Sequence, residues 1–187
     1  MQQNTPEQRP DPPVSDPGQS GPENEPYTSE EWNVLLETPV TICRAIMAVS
    51  PSGIIGMSQE VLTMRKSLKE VLQHASSPLL QQLHQQLQSQ EKAEALWREI
   101  QRFFKDRQDA VAIRQTAIAA CQRCVLLLNK APAQESQAYK EFVYAMARRV
   151  AEAAREGGFL GTGGQALSEA EQALLKELSS VLGIPGA

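Results

Sequence analysis

Residues 45–60 read AIMAVSPSGIIGMSQE, and residues 150–171 read VAEAAREGGFLGTGGQALSEAE. In each, an apolar helical run leads into Gly-apolar-apolar-Gly, then an apolar residue and a Ser, then a Glu within three residues. Gly53-Ile54-Ile55-Gly56 aligns with Gly158-Phe159-Leu160-Gly161. Met57-Ser58 aligns with Leu167-Ser168 across an insert at residues 162–166. Self-similarity of this kind predicts two related helical hairpins packed about a pseudo-twofold axis. It constrains the architecture and is nearly silent on chemistry.

The neighbouring sequence is helical throughout. Thr28-Ser29-Glu30-Glu31 reads as a capping box opening a helix with Trp32, Leu35 and Leu36 inside. Pro39 is expected to end, kink or restart it. The next helix runs to about Val49 and stops at Pro51-Ser52-Gly53. Ser58 is then expected to cap a helix over about 59–74 that buries Val61, Leu62, Leu68, Val71 and Leu72. Ser76-Ser77-Pro78 starts another, with Leu79, Leu83 and Leu87 on one stripe. From Glu91 to about Leu128 the pattern stays helical, with a break near Lys105-Asp106. Its second half puts Ala110, Ile113, Ala117, Cys121, Cys124 and Leu128 on one seam, suited to close helix packing. Ala131-Pro132-Ala133 is a turn, and the last hairpin is expected from Gln137. Ser168-Glu169-Ala170-Glu171 is a second capping box, and Gly183 a C-cap. The fold class is all-α, a bundle of about six to eight helices, with no strand signal.

Residues 1–26 are set apart by composition. They hold seven of the twelve prolines and one bulky aliphatic residue, Val14. Such a segment cannot bury enough apolar surface to offset its ordering entropy, so a disordered tail is expected, with one helical domain over 27–187. The tail carries five acids and one Arg, a charge of −4 equal to that of the whole chain. The remaining body is therefore neutral, which argues against general nucleic-acid binding. An apolar signal core is missing from the N-terminus. The longest membrane candidate, residues 40–57, is broken by Arg44, Ser50, Pro51 and Ser52. A cytoplasmic protein is expected, with peripheral membrane contact left open.

Two stretches carry a resemblance. RVAEAAREGGFLGTGGQALSEAEQALLKELSSVLG, residues 149–183, looks like the end of a bacterial all-helical family without an assigned activity. YTSEEWNVLLETP, residues 27–39, with the later SPSG, looks like its beginning. More remotely, the order helix, small-residue turn, Ser-x-x-Glu, helix is similar to the tellurite-resistance TerB-like fold. That resemblance implies paired hairpins whose acidic turns hold a divalent metal. This chain departs from it: Ser50-Pro51-Ser52-Gly53 has no Asp, and the second turn is Arg155-Glu156-Gly157-Gly158. Glu60, Glu156 and Glu171 remain as candidate metal ligands.

Other constellations have ordinary explanations. Cys121 and Cys124 share a helical face, which suits a metal or redox pair. Yet no βαβ context lowers a thiol pKa, and zinc lacks its further ligands, so buried packing is the default. The glycine-rich residues 157–164 precede a helix N-terminus, a phosphate-binding arrangement, but no Lys-Ser/Thr follows as a Walker loop requires. Arg98, Arg102 and Lys105 form a basic stripe among acids, typical of a solvated helix face. His74 and His84 have no nameable nucleophile, so no catalytic set is assigned. The apolar tips Ile54-Ile55 and Phe159-Leu160 either plug the bundle or meet a partner. The expected function is a non-enzymatic interaction module without cofactor, binding another protein or itself. A TerB-like metal- or stress-associated binding protein is the alternative.

Overall fold

The structure is a computed structural model that describes residues 26–50, 53–89, 91, 94, 98, 109–156 and 167–184. The described residues form α1 (Ser29–Val49), α2 (Gly53–Gln73), α3 (Pro78–Gln88), α4 (Ala110–Leu128), α5 (Ala133–Glu156) and α6 (Glu169–Leu182). Among them there is no strand. The all-α expectation holds, and residues 1–25 lie outside the description.

α1 is the central helix and touches all five of the others. Its first turn is closed by the expected capping box. Thr28 N donates to Glu31 Oε2 at 2.9 Å, and Glu31 N donates to Thr28 Oγ1 at 3.3 Å. Lys130, just beyond α4, pairs with the same carboxylate at 2.5 Å. That hydrogen bond is the main reason the Glu31 pKa is lowered. Leu35, Ile42, Ala45 and Ile46 are wholly buried along α1.

Pro39 neither ends nor restarts the helix, which runs through it. A proline inside a helix leaves the carbonyl four residues earlier without its donor. Here that carbonyl is Leu35 O, and the Tyr139 hydroxyl donates to it at 2.5 Å. The substitute donor comes from α5, so tertiary packing repairs what local sequence breaks.

α2 departs from expectation. It begins at Gly53, not near Ser58, so Gly53-Ile54-Ile55-Gly56 is its first turn rather than a free loop. Two glycines cost a helix roughly 1 kcal/mol each. The burial farther along α2, where Met64, Leu68 and Leu72 face α5 and the core, is worth more per side chain. Leu62 was expected inside but is 66% exposed, because it lies off the stripe set by Glu60, Met64, Ser67 and Leu68.

α3 starts as expected, with Ser77 as N-cap and Pro78 in the first turn. α4 is capped by Asp109 and begins at Ala110, so the Lys105-Asp106 break lies outside the described residues. Its seam is confirmed: Ile113, Ala117, Cys121, Cys124 and Leu128 are buried, joined by Ala120, while Ala110 is only partly covered. Alanine and cysteine at these places let α4 lie close along α1, its principal neighbour. α5 begins at Ala133, immediately after Pro132 and four residues before Gln137. α6 carries its capping box, with Ser168 N donating to Glu171 Oε2 at 2.8 Å. It ends at Gly183 in the left-handed region, φ 67°, where Ile184 N reaches back to Ser179 O at 3.0 Å.

The closest packing pairs α1 with α4, α2 with α5, and α1 with α5. α6 rests mainly on α4 and α5. Among the described residues, two helices are long and apolar enough, by length and composition alone, to cross a membrane. In α1 the apolar window has mean hydropathy 1.2 and is 67% buried, whereas in α4 it is 1.4 and 33% buried. Neither helix is an unbroken apolar run: α4 keeps a high mean around the isolated charges Arg114 and Arg123.

Candidate functional site

Three features of the described structure have chemical content: the buried cysteine cluster, the buried carboxylates and the outer face of α4. Cys121 and Cys124 lie on the inner side of α4, both wholly inaccessible. Burial raises the Cys121 thiol to about 12 and the Cys124 thiol to about 11, and it raises Cys43 as well. The Tyr139 and Thr38 hydroxyls sit against Cys124 and oppose part of its shift. A reactive or metal-bound cysteine needs its thiolate, and this environment suppresses it. Among the described residues no group of three or more His, Cys, Asp or Glu converges on a metal position.

Glu60 on α2 is wholly buried, and Glu171 on α6 is 2% exposed. Glu171 Oε2 is held by the backbone N–H and the hydroxyl of Ser168, both at 2.8 Å. Its other oxygen is buried without a hydrogen bond among the described residues. The Glu156 side chain lies outside the described residues, and with it the expected ligand set of Glu60, Glu156 and Glu171. The apolar tips fall there too: the side chains of Ile54 and Ile55, and Phe159 and Leu160 altogether. The glycine-rich residues 157–164 are likewise outside it, as are Arg102 and Lys105 of the basic stripe. Arg98 is exposed on a helical segment, with its Nε donating to Glu94 O at 3.4 Å. His84 Nε2 is 3.2 Å from Gln88 Nε2, and His74 Nδ1 is 2.9 Å from Glu70 O. The two imidazoles serve different helices, as their separation in sequence implied.

The outer face of α4 was not singled out from sequence. Val111 is 60% exposed and Leu126 is 68% exposed, at opposite ends of the helix. Between them Ala112, Gln115, Ala119 and Gln122 are also exposed, and Ile118 is half-buried. Within this strip there is no charge. Arg114 flanks it on one side, pairing with Glu177 of α6 at 2.6 Å, and Arg123 flanks the other. The available signal was compositional: AVAIRQTAIAACQRCVLLL is apolar around much of its circumference, more than one buried seam requires. Compared with protein-family models, curated proteins and solved structures, the chain finds no match.

Proposed function

We propose that the chain is a non-enzymatic, cytoplasmic helical interaction module that docks a protein surface, either another chain or its own copy. The observation that carries this reading is the outer strip of α4, an uncharged and largely apolar surface between Val111 and Leu126, interrupted by Gln115 and Gln122, on a helix whose other side is core. Isolated exposed apolar residues are ordinary, whereas an uncharged strip along a whole helix is the usual chemistry of a contact surface. The finer architecture in this reading is two related hairpins, over about residues 39–74 and 137–183, arranged about a pseudo-twofold axis. The tips Ile54-Ile55 and Phe159-Leu160 belong to it as a further contact.

The test places a photo-crosslinking amino acid at Leu126 in the full chain, in its own host. A discrete adduct that vanishes when Val111→Asp is added, with unchanged melting temperature, supports the module. No adduct, together with a monomer at every concentration in sedimentation, would sink it.

A second reading, a TerB-like metal- or stress-associated binding protein, draws on the burial of Glu60 and Glu171, since buried carboxylates commonly serve cations. Calcium and zinc titrations followed by calorimetry decide it. Saturable heat lost in Glu171→Gln favours that reading, and featureless titrations reject it.

A further inference from the structure

A cleft of about 420 Å³ opens between the end of α2, the turn into α3, and α5. Its apolar lining comes from Val71, Ala75, Leu80 and Ala138, and its charged and ring groups are Glu70, His74 and Arg149. The volume falls at the lower end of the ~300–1,000 Å³ of small-molecule sites.

The polar groups differ in what they have left to offer. At the inner end, Ser77 Oγ and Leu79 N both donate to Glu135, at 2.5 and 2.8 Å. The N-terminus of α3 is thus already occupied by a protein carboxylate and has nothing left for an anion. Arg149 makes no ion pair among the described residues, whereas its neighbour Arg148 is bound to Glu152 at 2.9 Å. Glu70 faces Lys66 only across 3.8 Å, in an exposed pair that constrains it little. His74 Nδ1 lies 2.9 Å from Glu70 O, and a carbonyl can only accept, so that nitrogen carries the proton. In the neutral ring Nε2 is then an acceptor.

The cleft therefore presents one cation, two acceptors and an apolar floor. A dianion such as phosphate meets Glu70 and the Glu135-filled helix end. A simple amine leaves Arg149 unused, and a simple carboxylate leaves Glu70 and His74 unused. A zwitterion with an apolar side chain uses all three and covers the floor. We propose that this cleft binds a free α-amino acid with an aliphatic side chain. Arg149 donates to its carboxylate, Glu70 and His74 Nε2 accept from its ammonium, and the side chain lies on Val71, Ala75, Leu80 and Ala138. The cleft is open, so binding is weak, with a Kd on the order of 1 mM.

The experiment is an amide-resolved NMR titration of the full chain with L-leucine, 4-methylpentanoate and isoamylamine. Leucine is expected to give saturable shifts at Val71, Ala75, Leu80 and Ala138, with each analogue at least about tenfold weaker. Arg149→Gln should erase the advantage of leucine over isoamylamine, and Glu70→Gln its advantage over 4-methylpentanoate, both without a change in melting temperature. Equal binding of the three ligands, no saturation by about 20 mM leucine, or variants that bind as the parent does would each overturn the proposal.

Discussion

Tyr139 and Pro39 lie a hundred residues apart, yet each makes sense only through the other. Pro39 has no N–H for Leu35 O, and the buried Tyr139 hydroxyl supplies the donor at 2.5 Å. Tyr139→Phe should therefore cost about 1–3 kcal/mol in urea unfolding, the penalty of a buried carbonyl left without a partner. Pro39→Ala restores a backbone donor at that site, so adding it should recover most of the loss. A double-mutant cycle with no coupling energy would disprove the pairing. The cysteines give a pH dependence of definite sign. Their folded pKa values, about 11 for Cys124 and about 12 for Cys121, lie above the usual thiol value of about 8.5. Above pH ~8.5 the unfolded chain releases thiol protons while the folded chain keeps them. Stability is thus fully present below that pH and falls as pH rises toward the folded values. Each thiol contributes a slope of up to about 1.4 kcal/mol per pH unit. Urea midpoints at pH 7.5, 9 and 10.5 should decline in that order, and a flat profile would mean the thiols are not shielded.

At the scale of elements, the ends of helices were easier to read than their order in space. Ser168-x-x-Glu171 and Thr28-x-x-Glu31 close their helices by local chemistry, so sequence alone located them. The α4 seam was legible for a similar reason: Ile113, Ala117, Cys121, Cys124 and Leu128 recur at helical spacing. The start of α2 was not, because Gly53 and Gly56 lower the local helix preference and Ser58 is a good cap residue. The burial that favours α2 lies farther along it, at Met64, Leu68 and Leu72, where no window around Gly53 contains it. The cleft was illegible for the same reason. Glu70 and His74 on one segment line the same cleft as Arg149 on another only because α2 lies along α5. Glu135 is the long-range version of a cap: from α5 it receives Ser77 Oγ and Leu79 N of α3. Glu135→Ala removes a charged acceptor from a helix start and should cost about 1–2 kcal/mol. Hydrogen exchange localises the effect, with Leu79 exchanging faster while the α4 seam amides stay protected. Uniform acceleration throughout would instead mean global destabilisation.

For the whole molecule, two helices of similar apolarity have opposite surroundings. α1 touches each of the other five described helices and uses its hydropathy for the core, whereas α4 faces the core along one seam only. Among the described residues, packing accounts for the inner side of α4 and leaves most of its outer side without a core contact. The two sides should respond differently to substitution. Ala117 is wholly buried on the seam toward α1, so Ala117→Leu forces extra volume into a close approach and should destabilise by about 1–3 kcal/mol. Leu126 is 68% exposed, so Leu126→Gln should change stability by no more than about 0.5 kcal/mol. If the outer side exists for contact, the same Leu126→Gln should lower the molecule's concentration-dependent association while its unfolding midpoint stays in place. Sedimentation velocity and urea unfolding on the two variants separate the cases. Loss of stability in both would make the outer strip part of the core. Loss of stability in Ala117→Leu alone, with weakened association in Leu126→Gln, gives α4 one side for the fold and one for a partner.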